Sequence, residues 1–268
     1  MGCFGGGSFL NRPKTATGRP VVENEGAFTP DKERGRHLAG ILFIISAPSG
    51  SGKSTLVSEL RKYQDGLQFS VSYTTRAPRG SEMDGREYHF ITRAEFKRMA
   101  AADEFLEYAE VFGNYYGTAC RSLGEAEREG KDLLLDIDVQ GAAQVRERLP
   151  EAVSIFVMPP TPEILATRLR TRSRAEGHVE EEVIDRRLAK ARQEIENYRQ
   201  YVYILVNDIL DRAVEELAAI VLAERIRRDN SPIDAEAARL ITIAEACRQN
   251  NSMGRLRPVL ASFGLLGI

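Results

Sequence analysis

The chain is poor in cysteine, and its few cysteines are scattered. Cys3, Cys120 and Cys247 are the only three among 268 residues, and no two of them form a C-x-x-C pair. An odd, dispersed set argues against a disulfide framework and against a zinc site built from paired cysteines. We therefore expect free thiols in a reducing compartment.

Long hydrophobic runs are also missing. No apolar stretch approaches the roughly 18 residues that a membrane-spanning helix needs. The first residues, MGCFGGGSFLNRPK, lack the apolar stretch of a signal peptide. Gly6 stands where the N-myristoylation pattern requires Ser or Thr. The sequence predicts a soluble, cytoplasmic protein with no membrane partner.

An excess of charge of one sign is absent as well. The 37 Lys and Arg residues nearly balance the 39 Asp and Glu residues, which gives a formal net charge of -2. Proteins that bind nucleic acids usually carry a basic excess or a basic stripe, so we expect no nucleic-acid partner. Hydrophobic residues make up 43% of the chain, enough to bury at least one sizeable core.

Short apolar runs alternate with helical patterns through the middle of the chain. Continuous apolar runs such as Ile41–Ile45 are typical of strands buried on both faces. Strands that alternate with helices indicate an α/β fold with a mostly parallel sheet. The predicted strands are residues 41–45, 68–73, 133–137, 154–157 and 203–206. The predicted helices are residues 54–62, 93–102, 122–129, 141–148, 162–170, 180–199 and 211–228.

Four stretches depart from this alternation. Residues 1–39 carry too little apolar surface to offset the entropy of ordering, which predicts a disordered arm ahead of a body at residues 40–228. Residues 73–120 crowd Arg, Glu and Tyr between turn residues and are interpreted as an inserted lobe. Residues 163–197 are dense in Arg and Glu, as expected of a mobile helical lid. Residues 229–268 form a C-terminal extension, helical and then apolar, that packs on the body, joins a subunit contact or hangs free.

The strongest single motif is the APSGSGKS loop at residues 47–54, between a buried strand and a helix. Glycines let backbone N–H groups turn inward around an anion, and the helix N-terminus adds its positive end. Lys53 supplies a point charge for the β- and γ-phosphates, and Ser54 offers its hydroxyl as a ligand to Mg²⁺. Ala47 replaces the first Gly of the usual G-x-x-x-x-G-K-[ST] pattern, which Ala can do where φ is negative. The predicted nucleoside-triphosphate-binding residues here are Ala47, Pro48, Ser49, Gly50, Ser51, Gly52, Lys53, Ser54 and Thr55.

The loop alone does not choose among kinases, GTPases and motor ATPases, so the inserted lobe has to discriminate. Arg76 and Arg79, three residues apart and close to tyrosines, suit a phosphate monoester, because both are charge-assisted donors. A carboxylate beside a small hydroxyl can recognise guanine: the acid accepts from the ring N–H and the exocyclic NH₂, and the hydroxyl donates to O6. Adenine would leave such an acid short of donors.

From about Ile41 to Arg228 the sequence resembles the guanylate kinase family. The resemblance rests on SAPSGSGKST, SVSYTTRAPRGSEMDGREYHF, FLEYAEVFGNYYGT and LLLDIDVQGA, in the family's order and spacing. It implies a three-layer P-loop NTPase fold with a parallel sheet, an inserted GMP-binding lobe and a helical lid. It also implies direct in-line transfer of the γ-phosphate of Mg-ATP to GMP or dGMP, giving ADP and GDP, in purine nucleotide metabolism.

The resemblance assigns roles to individual residues. Glu82 supports the two arginines of the lobe, and Asn207 lies near the adenine. Residues that hold the GMP phosphate are Arg76, Arg79, Tyr88 and Tyr116. Residues around the guanosine are Ser72, Glu107, Gly117, Thr118 and Asp136 or Asp138. The catalytic cations are Lys53 and the lid arginines Arg168, Arg172 and Arg187. The lid loop is longer than is usual in the family, which leaves the choice between Arg172 and Arg174 open.

Asp136 and Asp138 also attract attention by their position. They end a predicted buried strand, and residues two apart in a strand project from the same face of the sheet, so both side chains point to the same side. Doubly wound folds bind ligands at the carboxyl ends of their strands. We therefore expect the pair near Mg²⁺ and the nucleotides, with the division of labour between them open.

Two other functions compete. The chain could be a binding module that keeps the GMP pocket for phosphopeptides, but retention of Lys53, Ser54 and the lid arginines speaks against it. It could phosphorylate another acceptor, such as a ribose bisphosphate, but Glu107, Tyr116 and Thr118 favour guanine. The sequence leaves the oligomeric state open.

Overall fold

A five-stranded parallel sheet forms the centre of the molecule in a computed structural model, which describes residues 40–111, 113–175 and 181–266. The first buried run of the sequence is its middle strand, which explains why that run is apolar on both faces. The strand order is β2-β7-β1-β8-β9. The strands are β1 (Leu42–Ser46), β2 (Leu67–Phe69), β7 (Asp132–Asp136), β8 (Val153–Met158) and β9 (Tyr203–Val206).

Helices cover both faces of this sheet and make a three-layer α/β sandwich. Phe43 and Ile45 of β1 pack with α1, α7 and α8, whereas Leu42 and Ile44 pack with α3, α4, α5, α6 and α9. The alternation is the period of two of a strand with two buried faces. The helices are α1 (Lys53–Leu60), α2 (Arg93–Ala101), α3 (Cys120–Glu129), α4 (Val139–Arg148), α5 (Pro162–Ala175), α6 (Glu181–Ile195), α7 (Leu210–Asp229), α8 (Ala235–Cys247) and α9 (Met253–Ser262).

A second, four-stranded sheet forms a lobe between β2 and α3. It contains β3 (Tyr73–Thr74), β4 (His89–Phe90), β5 (Phe105–Val111) and β6 (Asn114–Ala119), in the order β4-β3-β6-β5. Its small core joins Phe96 and Met99 of α2 to Tyr73 and Phe105. The lobe and the central sheet thus have separate cores, and the space between them is available for ligands.

The C-terminal extension packs on the body. Its helix α8 joins the core on one face of the central sheet, and α9 joins the core on the other face. Between them the chain crosses β9, where the Gln249 N–H donates to Val202 O at 2.9 Å. Arg255 forms an ion pair with the buried Glu216 of α7, at 2.7 Å. The extension therefore covers a sheet edge that would otherwise be open to pairing.

Several predicted boundaries differ from the structure. The predicted strand 68–73 divides into β2 and β3, which belong to different sheets. The predicted helix 180–199 ends at Ile195 and continues as a 3-10 helix, Glu196–Gln200. The apolar tail contains α9, because the buried stripe of Leu256, Val259 and Leu260 outweighs the poor helix propensity of Gly and Pro within it. The predicted arm, residues 1–39, lies outside the described residues. Within the described part of the chain, none of the helices is long and apolar enough to span a bilayer.

Candidate active site

The loop between β1 and α1 has the backbone of an anion cradle. Gly50 and Gly52 both have φ of +88°, which L side chains rarely adopt, and Gly52 is the N-cap of α1. No side chain of the described residues caps α1, so the first N–H groups of this helix are directed at the space in front of the loop. Among described non-glycine residues only Asp103 and Asn230 have positive φ. Ala47 therefore keeps ordinary geometry, as its place in the motif requires.

Lys53 and the two aspartates meet at the carboxyl end of β7. The Lys53 ammonium pairs with Asp136 and donates to Ile137 O at 2.9 Å. Asp138 lies beyond the end of the strand, as the N-cap of α4, and its Oδ1 accepts from the Gly141 N–H at 2.8 Å. Asp138 Oδ2 is buried and has no hydrogen-bond partner among the residues that the structure describes. The expected strand through Ile137 is thus one residue too long, and the two carboxylates are held in different ways.

One cavity of about 620 Å³ joins the loop, the lobe and the lid. Three predicted site residues, Arg76, Glu82 and Thr118, do not line it. The predicted residues that do line it are Ala47, Pro48, Ser49, Gly50, Ser51, Gly52, Lys53, Ser54, Thr55, Ser72, Arg79, Tyr88, Glu107, Tyr116, Gly117, Asp136, Asp138, Arg168, Arg172, Arg187 and Asn207. The structure therefore brings together segments that are far apart in the sequence.

Behind the cavity wall, Arg76 and Glu82 form a bidentate pair. Arg76 Nη2 donates to Glu82 Oε1 at 3.0 Å, and Nη1 lies 2.9 Å from Oε2. The guanidinium also lies over the Tyr88 ring at 5.4 Å. Glu82 also accepts from the Arg79 N–H at 2.8 Å. Burial would raise the pKa of Glu82, but these donors outweigh burial and lower it. Glu82 is thus ionised at neutral pH and fixes the backbone that presents Arg79 to the cavity.

Glu107 lies on β5 directly opposite Thr118 of β6. A register shift between Phe105 and Glu107 sends Leu106 into the main core and leaves Glu107 facing the cavity. The Thr118 hydroxyl, which hydrogen-bonds the carboxyl, is 3.5 Å from the hydroxyl of Ser72, and Ser72 lines the cavity together with Glu107. Burial raises the pKa of Glu107 to about 7, although a hydrogen bond from Thr118 opposes the shift. The carboxyl is desolvated and poised to change charge near neutral pH.

The lid helices α5 and α6 bring cations to the loop. Arg168 of α5 donates to Ser51 O at 3.1 Å and to Asn207 O at 3.0 Å. Arg187 of α6 donates to the buried Ser173 hydroxyl at 3.2 Å. Arg172 lines the cavity, whereas its alternative, Arg174, does not. The tip of the lid loop, residues 176–180, lies outside the described residues.

The sequence analysis missed two charged residues of the cavity wall, Lys190 and Glu194 on α6. They lie 3.6 Å apart, and Glu194 accepts a hydrogen bond from the Ser49 N–H of the loop. Burial raises the pKa of Glu194, and Lys190 opposes that shift. Lys190 and Glu194 come three and seven residues after Arg187, a spacing that places all three on one face of a helix. This helical spacing was therefore a signal in the sequence that could have identified them. The other missed lining residues are Ala109, Val111, Ile137 and Leu210.

Comparison with known proteins identifies the family to which this arrangement belongs. A family model described as guanylate kinase matches residues 40–224. The chain belongs to the guanylate kinase family. A guanylate kinase of Koribacter versatilis is 58% identical over 226 residues, which is 84% of this chain and 97% of that protein. One from Neisseria meningitidis serogroup A is 52% identical over 189 residues, 70% of this chain and 90% of that protein.

A solved structure agrees with these relatives. The crystal structure of guanylate kinase from Anaplasma phagocytophilum has a TM-score of 0.58 and 34% identity, over 70% of this chain and 87% of that one. The predicted family and the α/β P-loop NTPase fold are therefore confirmed, as is the enzyme class of nucleoside monophosphate kinases. The individual roles of the site residues stay predictions.

Proposed function

We propose that the chain transfers the γ-phosphate of Mg-ATP to GMP by direct in-line displacement, giving ADP and GDP. The observation that carries the proposal is the shared cavity, which has the Lys53 loop on one wall and the buried Glu107 on another. A phosphate-binding loop alone would fit many NTPases. The Glu107 carboxyl can accept from the ring N–H and the exocyclic NH₂ of guanine, and a small hydroxyl nearby can donate to O6.

The residues present fit Mg-ATP. Triphosphate oxygens need the N–H groups at the start of α1 and a cation, and the loop offers both in Gly52 and Lys53. A hard cation prefers oxygen ligands, and Ser54 and Asp138 line the same cavity. Ser54 and Asp138 would hold the magnesium ion, directly or through water. When bound, Mg²⁺ supplies neutralisation of the charge that builds up on the transferring phosphoryl.

The acceptor would be oriented from its two ends. Glu107 and Ser72 would bind the guanine, with the buried Thr118 hydrogen-bonded to Glu107 behind the cavity wall. Arg79, Tyr88 and Tyr116 would bind the phosphate, with Arg76 and Glu82 behind them. An oxygen of the GMP phosphate attacks the γ-phosphorus, the new O–P bond forms, and the bond to the β-phosphate oxygen breaks with its electron pair leaving on ADP. Because the attacking oxygen is already anionic at neutral pH, no general base is required.

Catalysis then depends on positioning and charge. The transferring phosphoryl spreads negative charge over its oxygens, and preorganised cations stabilise that charge. Lys53 comes from the loop, while Arg168, Arg172 and Arg187 come from the two lid helices. Closure of the lid would bring these arginines to the phosphates and exclude water.

A coupled assay for ADP release tests the proposal. With ATP and Mg²⁺ we expect turnover of GMP and dGMP, and at least about a hundredfold lower kcat/KM with AMP, CMP, UMP or a ribose bisphosphate. Turnover of another acceptor in preference to GMP would reject guanine recognition. No turnover with any acceptor by folded protein would favour a binding module instead.

A further inference from the structure

Helix α4 carries a glycine at the point where it passes the Glu107 carboxyl. A Cβ built on Gly141 would lie 2.2 Å from Glu107 Oε2 and 2.9 Å from its Cδ. Both distances are far below a van der Waals contact, which for carbon atoms is about 3.5–4.0 Å. The position of the carboxyl shown here is therefore compatible with glycine at 141 and with no other residue.

The helix cannot move away to make room, because it is fixed along β5. The side chain of Gln144 accepts from the Tyr108 N–H at 3.2 Å and donates to Tyr108 O at 2.7 Å. One turn further on, Arg148 donates to Phe105 O at 3.1 Å. Both anchors lie on the face of α4 that carries Gly141, so they hold its backbone against the strand.

The strand on the other side is equally constrained. Glu107 is only 3% exposed and pairs across the sheet with Thr118, which hydrogen-bonds its carboxyl. A Cβ on the neighbouring Gly117 would lie 3.0 Å from Glu107 O, so β6 already touches the backbone of β5. With strand and helix both fixed, a side chain at 141 could be accommodated only by displacing the carboxyl toward the cavity.

We propose that Gly141 is a specificity-determining positioning residue, whose missing side chain leaves the space in which the Glu107 carboxyl is held for guanine. The proposal rests on the proposed function, since it takes Glu107 as the guanine-reading group. Gly141 touches no substrate. It acts through Glu107; its own N–H donates to Asp138 Oδ1, a backbone contact that any replacement except proline retains.

The first test is Gly141→Ala in the full chain. We expect the KM for GMP to rise about 10- to 100-fold, because a displacement of about 1 Å at a recognition group has effects of this size. The KM for ATP should stay within about twofold, since the donor loop lies on another wall. As the KM for GMP rises, the preference for GMP over AMP should fall. An unchanged KM for GMP, or an equal loss for both substrates, would overturn the proposal.

A matched control is Gly124→Ala. Gly124 also lies within a helix, α3, but a Cβ there meets no atom of the described residues within 4 Å. Alanine has the higher helix propensity, so this variant should be as stable as the parent or slightly more so, with both KM values unchanged. A rise in the GMP KM of this variant would show that glycine replacement itself, rather than the contact with Glu107, causes the effect.

A double variant tests the contact without relying on GMP turnover. Glu107→Asp shortens the side chain by one methylene and withdraws the carboxyl from residue 141. In thermal unfolding, we expect Glu107→Asp to raise the Tm of Gly141→Ala while leaving that of Gly124→Ala unchanged or lower. Should Gly141→Ala fail to fold, recovery of folded protein in Gly141→Ala/Glu107→Asp supports the contact. Absence of recovery refutes it, whatever the acceptor of the enzyme.

Discussion

The donor wall and the acceptor wall of the cavity are built in different ways. The donor wall is a contiguous loop, residues 47–54, in which, under the proposed function, backbone N–H groups and the cation Lys53 would bind the phosphates of ATP. The acceptor wall collects side chains from β5, β6 and the segment around Arg79, each oriented by a neighbour that does not line the cavity. A backbone cradle tolerates changes of side chain, whereas an assembled pocket depends on every supporting contact.

Charge distinguishes the two walls as well. At the donor wall and the lid beside it, the cations already have oxygen partners: Lys53 is held by Asp136 and Ile137 O, and Arg168 of the lid by Ser51 O. On the acceptor wall the central group is a carboxyl whose pKa burial has raised to about 7. We therefore expect donor-side changes to act mainly on kcat, and acceptor-side changes mainly on the KM for GMP and on pH dependence.

The largest effect is expected for Lys53→Met. The variant keeps the length of the side chain but removes the positive charge that would contact the phosphates. We therefore expect kcat to fall by about 10²- to 10³-fold or more, as for other preorganised electrostatic groups. Steady-state kinetics would measure it. Lys62→Met, which removes an exposed lysine paired with Glu59 just beyond α1, is the control and should retain full activity. A change confined to the KM for GMP would contradict the division between the walls.

Glu107→Gln should come next. The amide is nearly isosteric but places donors opposite the donors of guanine, so kcat/KM for GMP should fall about 10²-fold and discrimination against AMP should shrink. Competition between the two acceptors in one assay measures the ratio. Glu110→Gln, an exposed position on the same strand, serves as the control. If the variant kept its preference for GMP, Glu107 would not be the guanine-reading residue.

The pH dependence of GMP binding should be a smaller effect than that of Glu107→Gln, but it tests whether Glu107 binds GMP in its ionised form. Free Glu107 has a pKa of about 7, whereas guanine needs the ionised form, so GMP binding lowers this pKa and releases a proton below pH 7. The KM for GMP should therefore rise by up to about tenfold per pH unit as the pH falls below 7, and be flat above it.

The phosphate of GMP itself titrates near pH 6, so a control is needed. Subtracting the profile of Glu107→Gln isolates the carboxyl, because the variant keeps only the contribution of the phosphate. Identical profiles for the two proteins would exclude a role for Glu107 ionisation. The KM for ATP, measured alongside, should not follow the same curve.

The smallest effect is expected for Glu82→Gln. The change weakens the bidentate pair with Arg76 and loosens the loop that presents Arg79, so the KM for GMP should rise several-fold, about 1 kcal/mol of binding. The selectivity for guanine over other bases should not change, because this pair supports the phosphate end. Glu95→Gln breaks a more exposed ion pair, with Arg98 on α2, away from the cavity and is the control. An altered preference for the base would contradict this assignment.

The sequence by itself determined the central architecture and the donor loop. The apolar runs at residues 41–45, 154–157 and 203–206 became β1, β8 and β9 with small shifts, because a strand buried on both faces must be continuously apolar. The donor loop is also local: Gly50, Gly52 and Lys53 are neighbours in the chain, so the motif can be recognised without knowing the rest of the fold.

Only the tertiary structure decided how the acceptor wall and the lid are held. Glu107 became desolvated because α4 and β6 close around it, and Gly141, a residue with no side chain, gave no chemical signal in the sequence. Lys190 and Glu194 looked like the exposed charges of a lid helix until α6 was placed against the loop. Such features come from contacts between segments far apart in the chain, and local sequence patterns carry information only about neighbours along a helix or a strand.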